Sequence, residues 1–186
     1  MPSFVVERIY GNDMAMLAVA GLLATTPLQI ASMVGSPTGG ILADFFRART
    51  LRGRVLVQGI GVVCAVPFVI LCGNAHAYAP LIVALVGWGL FKGMYDSNIF
   101  ASVYDVMPKE LRGMTAGFMN MFGWAGGALA PILAGKIADN KELGLGYAIS
   151  HASVGYLACG LLLFAAAMIF VKRDAARVQK IAEAAE

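Results

Sequence analysis

Residues 80–104 read Pro80-Leu-Ile-Val-Ala-Leu-Val-Gly-Trp88-Gly-Leu-Phe-Lys92-Gly-Met-Tyr95-Asp96-Ser-Asn-Ile-Phe-Ala-Ser-Val-Tyr104. As a helix rising 1.5 Å per residue, this stretch is about 37 Å long, enough to cross ~30 Å of hydrocarbon. Its middle holds Lys92 and Asp96, spaced i, i+4 and therefore on one face, with Trp88 and Tyr95 beside them. A charge at that depth costs at least a few kcal/mol on insertion scales, so it persists only when paired or when it faces water or a ligand. One reading is an ion pair that only fixes packing. Lys before Asp is the weaker i, i+4 order, however, and so large a desolvation cost calls for a return. The stripe Trp88, Lys92, Tyr95, Asp96 is therefore read as cavity-lining. Lys92 attracts an anionic group, and Asp96 sets its charge state or takes part in proton or cation coupling.

Working outward, four more apolar stretches appear, at 14–46, 55–73, 114–137 and 147–171. The first is longer than the rest and contains Pro27 and Pro37, which predicts a tilt or kink. The chain is 59% hydrophobic and 13% charged, with mean hydropathy +0.75. An average soluble domain is roughly 25% charged. Fourteen Lys and Arg with eleven Asp and Glu, in 186 residues, cannot cover a soluble core. The composition predicts an all-α membrane protein whose 14–172 region is a five-span bundle, with a charged, Ala-rich helix at 173–186 leaving the bilayer. Ten of the fourteen basic residues fall after the first, third and fifth spans: Arg47, Arg49, Arg52, Arg54, Lys109, Arg112, Lys172, Arg173, Arg177 and Lys180. Arg8, Lys136 and Lys141 fall on the other side. The excess of Lys and Arg puts the C-terminus in the cytoplasm and the N-terminus outside.

Several function classes find no support. The net charge is +3 with no basic run interleaved with aromatics, so nucleic acid is not a partner. Cys64, Cys72 and Cys159 lie in apolar runs without a CxxC and read as small hydrophobes rather than a disulfide or metal set. Residues 1–12 lack a secretory n-region and cleavage site. No metalloprotease, Walker or dinucleotide fingerprint occurs, and 87–93 (GWGLFKG) is a glycine-dense helix rather than a phosphate loop. His151, between Ser150 and Ser153, has no nucleophile or metal-ligand partner and reads as a local hydrogen bond. No catalytic residue, metal site or cofactor is expected.

Two further polar stripes are candidates for ligand contact. Thr25, Gln29, Ser32 and Ser36 repeat at 4, 3, 4 and share a helix face. They either hydrogen-bond a neighbouring helix or line a cavity. Gln29 is the strongest ligand candidate because an amide both donates and accepts. Asn120 and Trp124 are again i, i+4, ahead of Gly127 and Pro131, and face either another helix or a ligand. Gly35/Gly39, Gly89/Gly93, Gly113/Gly117 and Gly123/Gly127 are small-xxx-small pairs that let helix backbones approach closely.

At the end of the first span, Gly39-Gly40-Ile41-Leu42-Ala43-Asp44-Phe45-Phe46-Arg47-Ala48-Arg49 resembles the G-x-L-A-D-R-x-G-R-R loop signature of the major facilitator superfamily. Gly40, Leu42, Ala43, Asp44 and Arg49 match it, while Phe45, Arg47 and Ala48 depart from it. Residues 1–8 resemble the end of that family's seventh helix and the outer loop after it, which makes 1–13 the stub of a helix. Residues 107–117 resemble the loop entering the eleventh helix, and 120–131 that helix itself. Within the superfamily the chain is most similar to the anion:cation symporter branch of organic-acid carriers. A G-x-x-A-D echo at 40–44 and 135–139, at opposite ends of their spans, fits the inverted repeat of such folds.

The resemblance implies that the third span is a cavity-lining tenth helix. It also implies that Gly40, Asp44, Arg47 and Arg49 form a cytoplasmic gate, although residues 47–54 serve equally to set topology. It implies a secondary transporter of a small organic anion, driven by a proton or sodium gradient, in a bacterial inner membrane. Such carriers have twelve helices in two halves with the substrate between them. Five spans and a stub correspond to the C-terminal half, so a missing N-terminal half or a second chain is expected as partner. A truncated frame, a split carrier and a dimerising half-size protein are the alternatives, the first preferred. The other functional reading is a non-transporting sensor, accessory subunit or inactive fragment that keeps the fold.

Overall fold

The computed structural model describes residues 4–6, 15, 17–138 and 144–183. Every long element among them is helical: α1 (Leu17–Arg47), α2 (Gly53–Gly73), α3 (Tyr78–Asp96), α4 (Ile99–Tyr104), α5 (Arg112–Ala138), α6 (Gly144–Ala166) and α7 (Lys172–Glu183). A short 3₁₀ turn, Lys109–Leu111, precedes α5, and a π-helical turn, Ala167–Val171, joins α6 to α7. Helix α7 occupies most of the 173–186 stretch expected to be a charged tail. Arg8, Asp139 and Lys141 lie outside the described residues, as does most of the 1–13 stub.

Four segments are long and apolar enough to cross a membrane: Ala18–Arg47, Gly53–Gly73, Tyr78–Tyr104 and Gly144–Val178. These coincide with four of the five expected spans. The fifth, within α5, is a continuous helix of 27 residues. Its glycines, among them Gly117, Gly123, Gly126, Gly127 and Gly135, contribute little hydropathy, and Asn120 and Lys136 lower it. The third expected span is one 27-residue segment, Tyr78–Tyr104, whose regular α-helix is interrupted by a single tighter turn. The turn lies at Ser97–Asn98, directly after Asp96. There Ser97 Oγ and Asn98 Nδ2 both donate to the Met94 carbonyl, at 3.1 and 3.0 Å. Side chains that bond the local backbone in this way compete with the helix. Irregular backbone at membrane depth is tolerated where it is buried in protein or lines a cavity.

Through both Pro27 and Pro37, α1 remains one helix of 31 residues. Hydroxyls cluster around the prolines: Thr25 Oγ1 donates to Gly21 O at 2.8 Å, Thr38 Oγ1 to Gly35 O at 2.8 Å and to Val34 O at 3.2 Å.

Glycines set the packing. On α3, a Cβ added to Gly89 or Gly93 would collide with the carbonyl oxygens of Leu28 or Ser32. On α1, one added to Gly35 or Gly39 would strike the backbone of Leu90 or Met94. The order of these contacts shows that α1 and α3 run parallel. By contrast, α2 and α6 run antiparallel, since Gly73 meets Gly146 and Ser150 while Gly59 meets Phe164. Hence α6 runs the same way as α1 and α3, and the chain between α4 and α6 must return across the bundle through α5. Buried Phe4, Val5 and Val6 pack with Ala20, Ala24, Cys72, Leu81 and Leu85 at the end opposite the arginines.

These glycines make a direct prediction. Gly93→Ala forces a Cβ against backbone, and overpacking of that kind costs ~1–3 kcal/mol. That outweighs the ~1 kcal/mol that Ala gains over Gly in a helix. Gly117→Ala, on α5 with open space around it, should be neutral or raise the melting temperature. Thermal denaturation in detergent checks this, and a Gly93→Ala chain as stable as Gly117→Ala would contradict the packing.

Candidate functional site

The face of α3 carrying Gly89, Leu90, Gly93 and Met94 is pressed against α1, which leaves Trp88, Lys92 and Tyr95 on the far face. That face borders a cavity of about 670 Å³ between α2, α3, α5 and α6. Helix α3 contributes Phe91, Lys92, Tyr95 and Asp96 to it, and α6 contributes Tyr156 and Cys159. Helix α5 contributes only Gly123 and Gly127, and α2 Val62 and Ala65. The cavity is thus an apolar chamber with its polar groups concentrated along one helix. Such chambers, with few convergent polar groups, are the usual form of a small-molecule site.

Lys92 Nζ donates to Asp96 Oδ2 within the same helix. Their side chains are 37% and 36% exposed, so a solute entering the cavity can reach both. Trp88 stands one turn before Lys92. Its Nε1 donates to the Tyr156 hydroxyl at 2.9 Å, and the two rings meet edge to face at 6.2 Å. Three of the expected residues, Lys92, Tyr95 and Asp96, therefore share the cavity wall, and Trp88 reaches it through Tyr156.

The other stripes are placed differently. Gln29 is exposed on α1 and lines no part of the chamber. Ser36 of the same stripe donates to Gly93 O at 3.3 Å, a helix–helix bond. Asn120 and Trp124 are exposed on α5, Trp124 at 79%, next to the lining glycines but outside the lining. His151 stacks on Tyr147 at 3.6 Å and its Nδ1 lies 3.0 Å from the Tyr147 carbonyl, the local bond expected of it. Among the described residues no group of three or more His, Cys, Asp or Glu could hold a metal ion.

A second polar cluster closes the arginine end. Asp105, at the end of α4, accepts from Arg47 Nε and from Arg54 Nη1, both at 3.0 Å. Arg54 Nη2 also reaches Asp44 at 2.8 Å. The chain of charges Arg47–Asp105–Arg54–Asp44 thereby ties the end of α1, the first turn of α2 and the end of α4. Arg49 stays outside it, stacked over Phe45 at 3.9 Å, and Gly40 has open space around its α-carbon. At the same end, Arg52 Nη2 donates to Met168 O in the π-turn at 3.3 Å, and Arg112 Nη2 to Tyr104 O at 3.0 Å.

Sequence reasoning did not single out Asp105, Asn98 or Tyr156. Asp105 carried a signal: it is the one acidic residue that opens a loop on the same side as four arginines. Asn98 also carried one, as a buried amide after a Ser in an apolar run. Its Nδ2 donates to Gly39 O at 3.2 Å. Tyr156 had none, being one aromatic in a long apolar helix.

The Major Facilitator Superfamily profile matches residues 2–186. The chain is 25% identical over 179 residues to the probable galactarate/D-glucarate transporter GarP of Escherichia coli (strain K12), covering 95% of this chain and 38% of that protein. It is 25% identical over 159 residues to the citrate-proton symporter of Klebsiella pneumoniae, covering 82% and 34%. It is 24% identical over 139 residues to vesicular glutamate transporter 3 of Danio rerio, covering 73% and 23%. The chain thus spans well under half the length of these relatives. No solved structure matches it significantly.

The charge cluster allows a ranking by exposure. Asp105 is 15% exposed and Asp44 68%. Asp105→Ala strands two half-buried guanidinium groups and should cost about 1–3 kcal/mol. Asp44→Ala removes an exposed pair worth at most about 1 kcal/mol. Thermal melts of the two variants should separate clearly, and equal losses would show that Asp105 is not the centre of the cluster.

Proposed function

The chain belongs to the Major Facilitator Superfamily, and from that premise we propose that it forms the C-terminal helix bundle of a secondary transporter moving a small organic anion with a proton by alternating access. The observation that carries this reading is the Lys92–Asp96 pair on the wall of the cavity. While Asp96 is ionised it occupies Lys92, and the pair is neutral. A carboxylate arriving at Lys92 would leave Asp96 as an uncompensated charge in an apolar chamber, which is costly. Protonating Asp96 removes that charge and frees Lys92 for the anion. Binding of one anion is then linked to binding of one proton. A proton needs one acceptor, whereas a hard cation gathers several oxygens. The side-chain oxygens among the lining residues are those of Asp96 and two phenols, which favours a proton over sodium.

The substrate class rests on the relatives. Two are named for galactarate/D-glucarate and for citrate with a proton, so the cargo proposed here is a small hydroxylated carboxylate. Gln29, Asn120 and Trp124 lie on surfaces that a second half of the carrier would cover, and on this reading they contact the ligand from the rim. Asp44, Arg47 and Arg54 with Asp105 serve as the latch of the cytoplasmic side, while Gly40 and Arg49 complete the loop motif without joining the latch.

Apolar helices and family make the chain a multi-pass membrane protein. We place it in the inner, or plasma, membrane with five spans, α5 being the fifth because the directions of α3 and α6 require a return crossing. The arginine end then faces the cytoplasm together with α7, by the excess of Lys and Arg there. Residues 14–172 are the bundle, 173–186 the tail, and 1–13 the end of a preceding helix. An N-terminal half, in cis or as a second chain, is the expected partner.

Uptake into proteoliposomes tests the proposal, with this chain reconstituted alone and with a co-expressed N-terminal half of a related carrier. Accumulation of galactarate that collapses with an uncoupler is the expected result. Lys92→Gln should lower uptake at least about tenfold through lost affinity. Asp96→Asn should keep exchange but lose accumulation driven by the proton gradient. No uptake in either preparation would favour a non-transporting role for the fold.

A further inference from the structure

Outside the ion pair, Tyr156 is a cavity residue whose hydrogen-bonding direction the structure fixes. An indole N–H is a donor only. In the 2.9 Å bond from Trp88 Nε1, the Tyr156 oxygen must therefore accept. Its own proton points elsewhere, and Tyr156 lines the cavity. The edge-to-face packing of the two rings holds the phenol in place. Trp88 lies on the helix that carries Lys92 and Asp96, whereas Tyr156 comes from α6. The bond thus brings a donor from a second helix to the wall that holds the ion pair.

We propose that Tyr156, held by Trp88, is a specificity-determining donor that selects hydroxylated anions, with Trp88 as its positioning residue. This rests on the reading of Lys92 and Asp96 as the anion site. Once Lys92 has taken a carboxylate, the neutral phenol meets the next oxygen of the ligand, a hydroxyl. An anion of equal length without hydroxyls leaves the Tyr156 O–H without a partner in an apolar chamber. Sites built to bond a hydroxyl discriminate strongly against analogues that lack it, for this reason. The aromatic pair could instead serve packing alone, and the two roles differ in what they do to selectivity.

The test is calorimetric titration of the detergent-purified chain, together with a co-expressed N-terminal half of a related carrier, with galactarate and with adipate, the six-carbon diacid without hydroxyls. The wild-type chain should prefer galactarate by about tenfold or more, the worth of one good hydrogen bond. Tyr156→Phe should remove most of that preference by weakening galactarate while adipate affinity stays within about twofold. Retained adipate binding also shows that the variant is folded. Trp88→Phe, which keeps the hydroxyl but frees its orientation, should give an intermediate ratio. An unchanged ratio in Tyr156→Phe, or equal loss for both acids, overturns the proposal and leaves a packing role. Unchanged galactarate affinity in Lys92→Gln would instead overturn the anion site itself, even if Tyr156→Phe altered selectivity.

Discussion

The backbone contact between α1 and α3 is the constraint on which the rest depends. Hydrophobic force does not drive helices together in lipid, so close association relies on small residues that bring backbones into contact. Gly35 and Gly39 on one helix and Gly89 and Gly93 on the other leave no room for a side chain. With one face of α3 committed to α1, its rotation is fixed, and so is the direction of Lys92 and Tyr95 toward α2, α5 and α6. A polar stripe that could have pointed into lipid is held against a cavity by four absent side chains.

The same helix links that cavity to the arginine end. Asp96 is followed at once by the tighter turn at Ser97–Asn98, where Asn98 is bonded to Gly39 of the glycine contact. The short α4 then leads to Asp105, which joins Arg47 and Arg54. The ion pair and the charge cluster are therefore the two ends of one stretch, 96–105, with the α1 contact between them. On the function proposed above, opening the cluster and opening the pair would displace the same segment, as alternating access requires of a site and its latch.

Much of this was legible in the sequence for simple reasons. Four spans announce themselves by length and apolarity, and a Lys–Asp pair in the middle of one cannot be concealed. The glycine spacings foretold contact but not which pairs meet: 35/39 with 89/93 are used in this way, while Gly117, Gly123 and Gly127 have open space. The tighter turn was hidden because Ser97 and Asn98 interrupt hydropathy only briefly. Tyr156 was hidden because its significance comes from Trp88, 68 positions away. Asn120 and Trp124 show the opposite limit. Periodicity placed them together on one stripe of α5, but the described packing leaves that stripe uncovered.

We propose that an anion and a proton bind together because one ion pair must open to admit them. Proton uptake on ligand binding tests it most directly. Galactarate, adjusted to the same pH, is added to the purified protein in weakly buffered solution near neutrality, and the pH change is recorded. The expected result is alkalinisation approaching about one proton per anion bound, as linkage requires when a group gains its proton on binding, and its disappearance in Asp96→Asn. Anion binding with no proton uptake, or with the same uptake in Asp96→Asn, would contradict it.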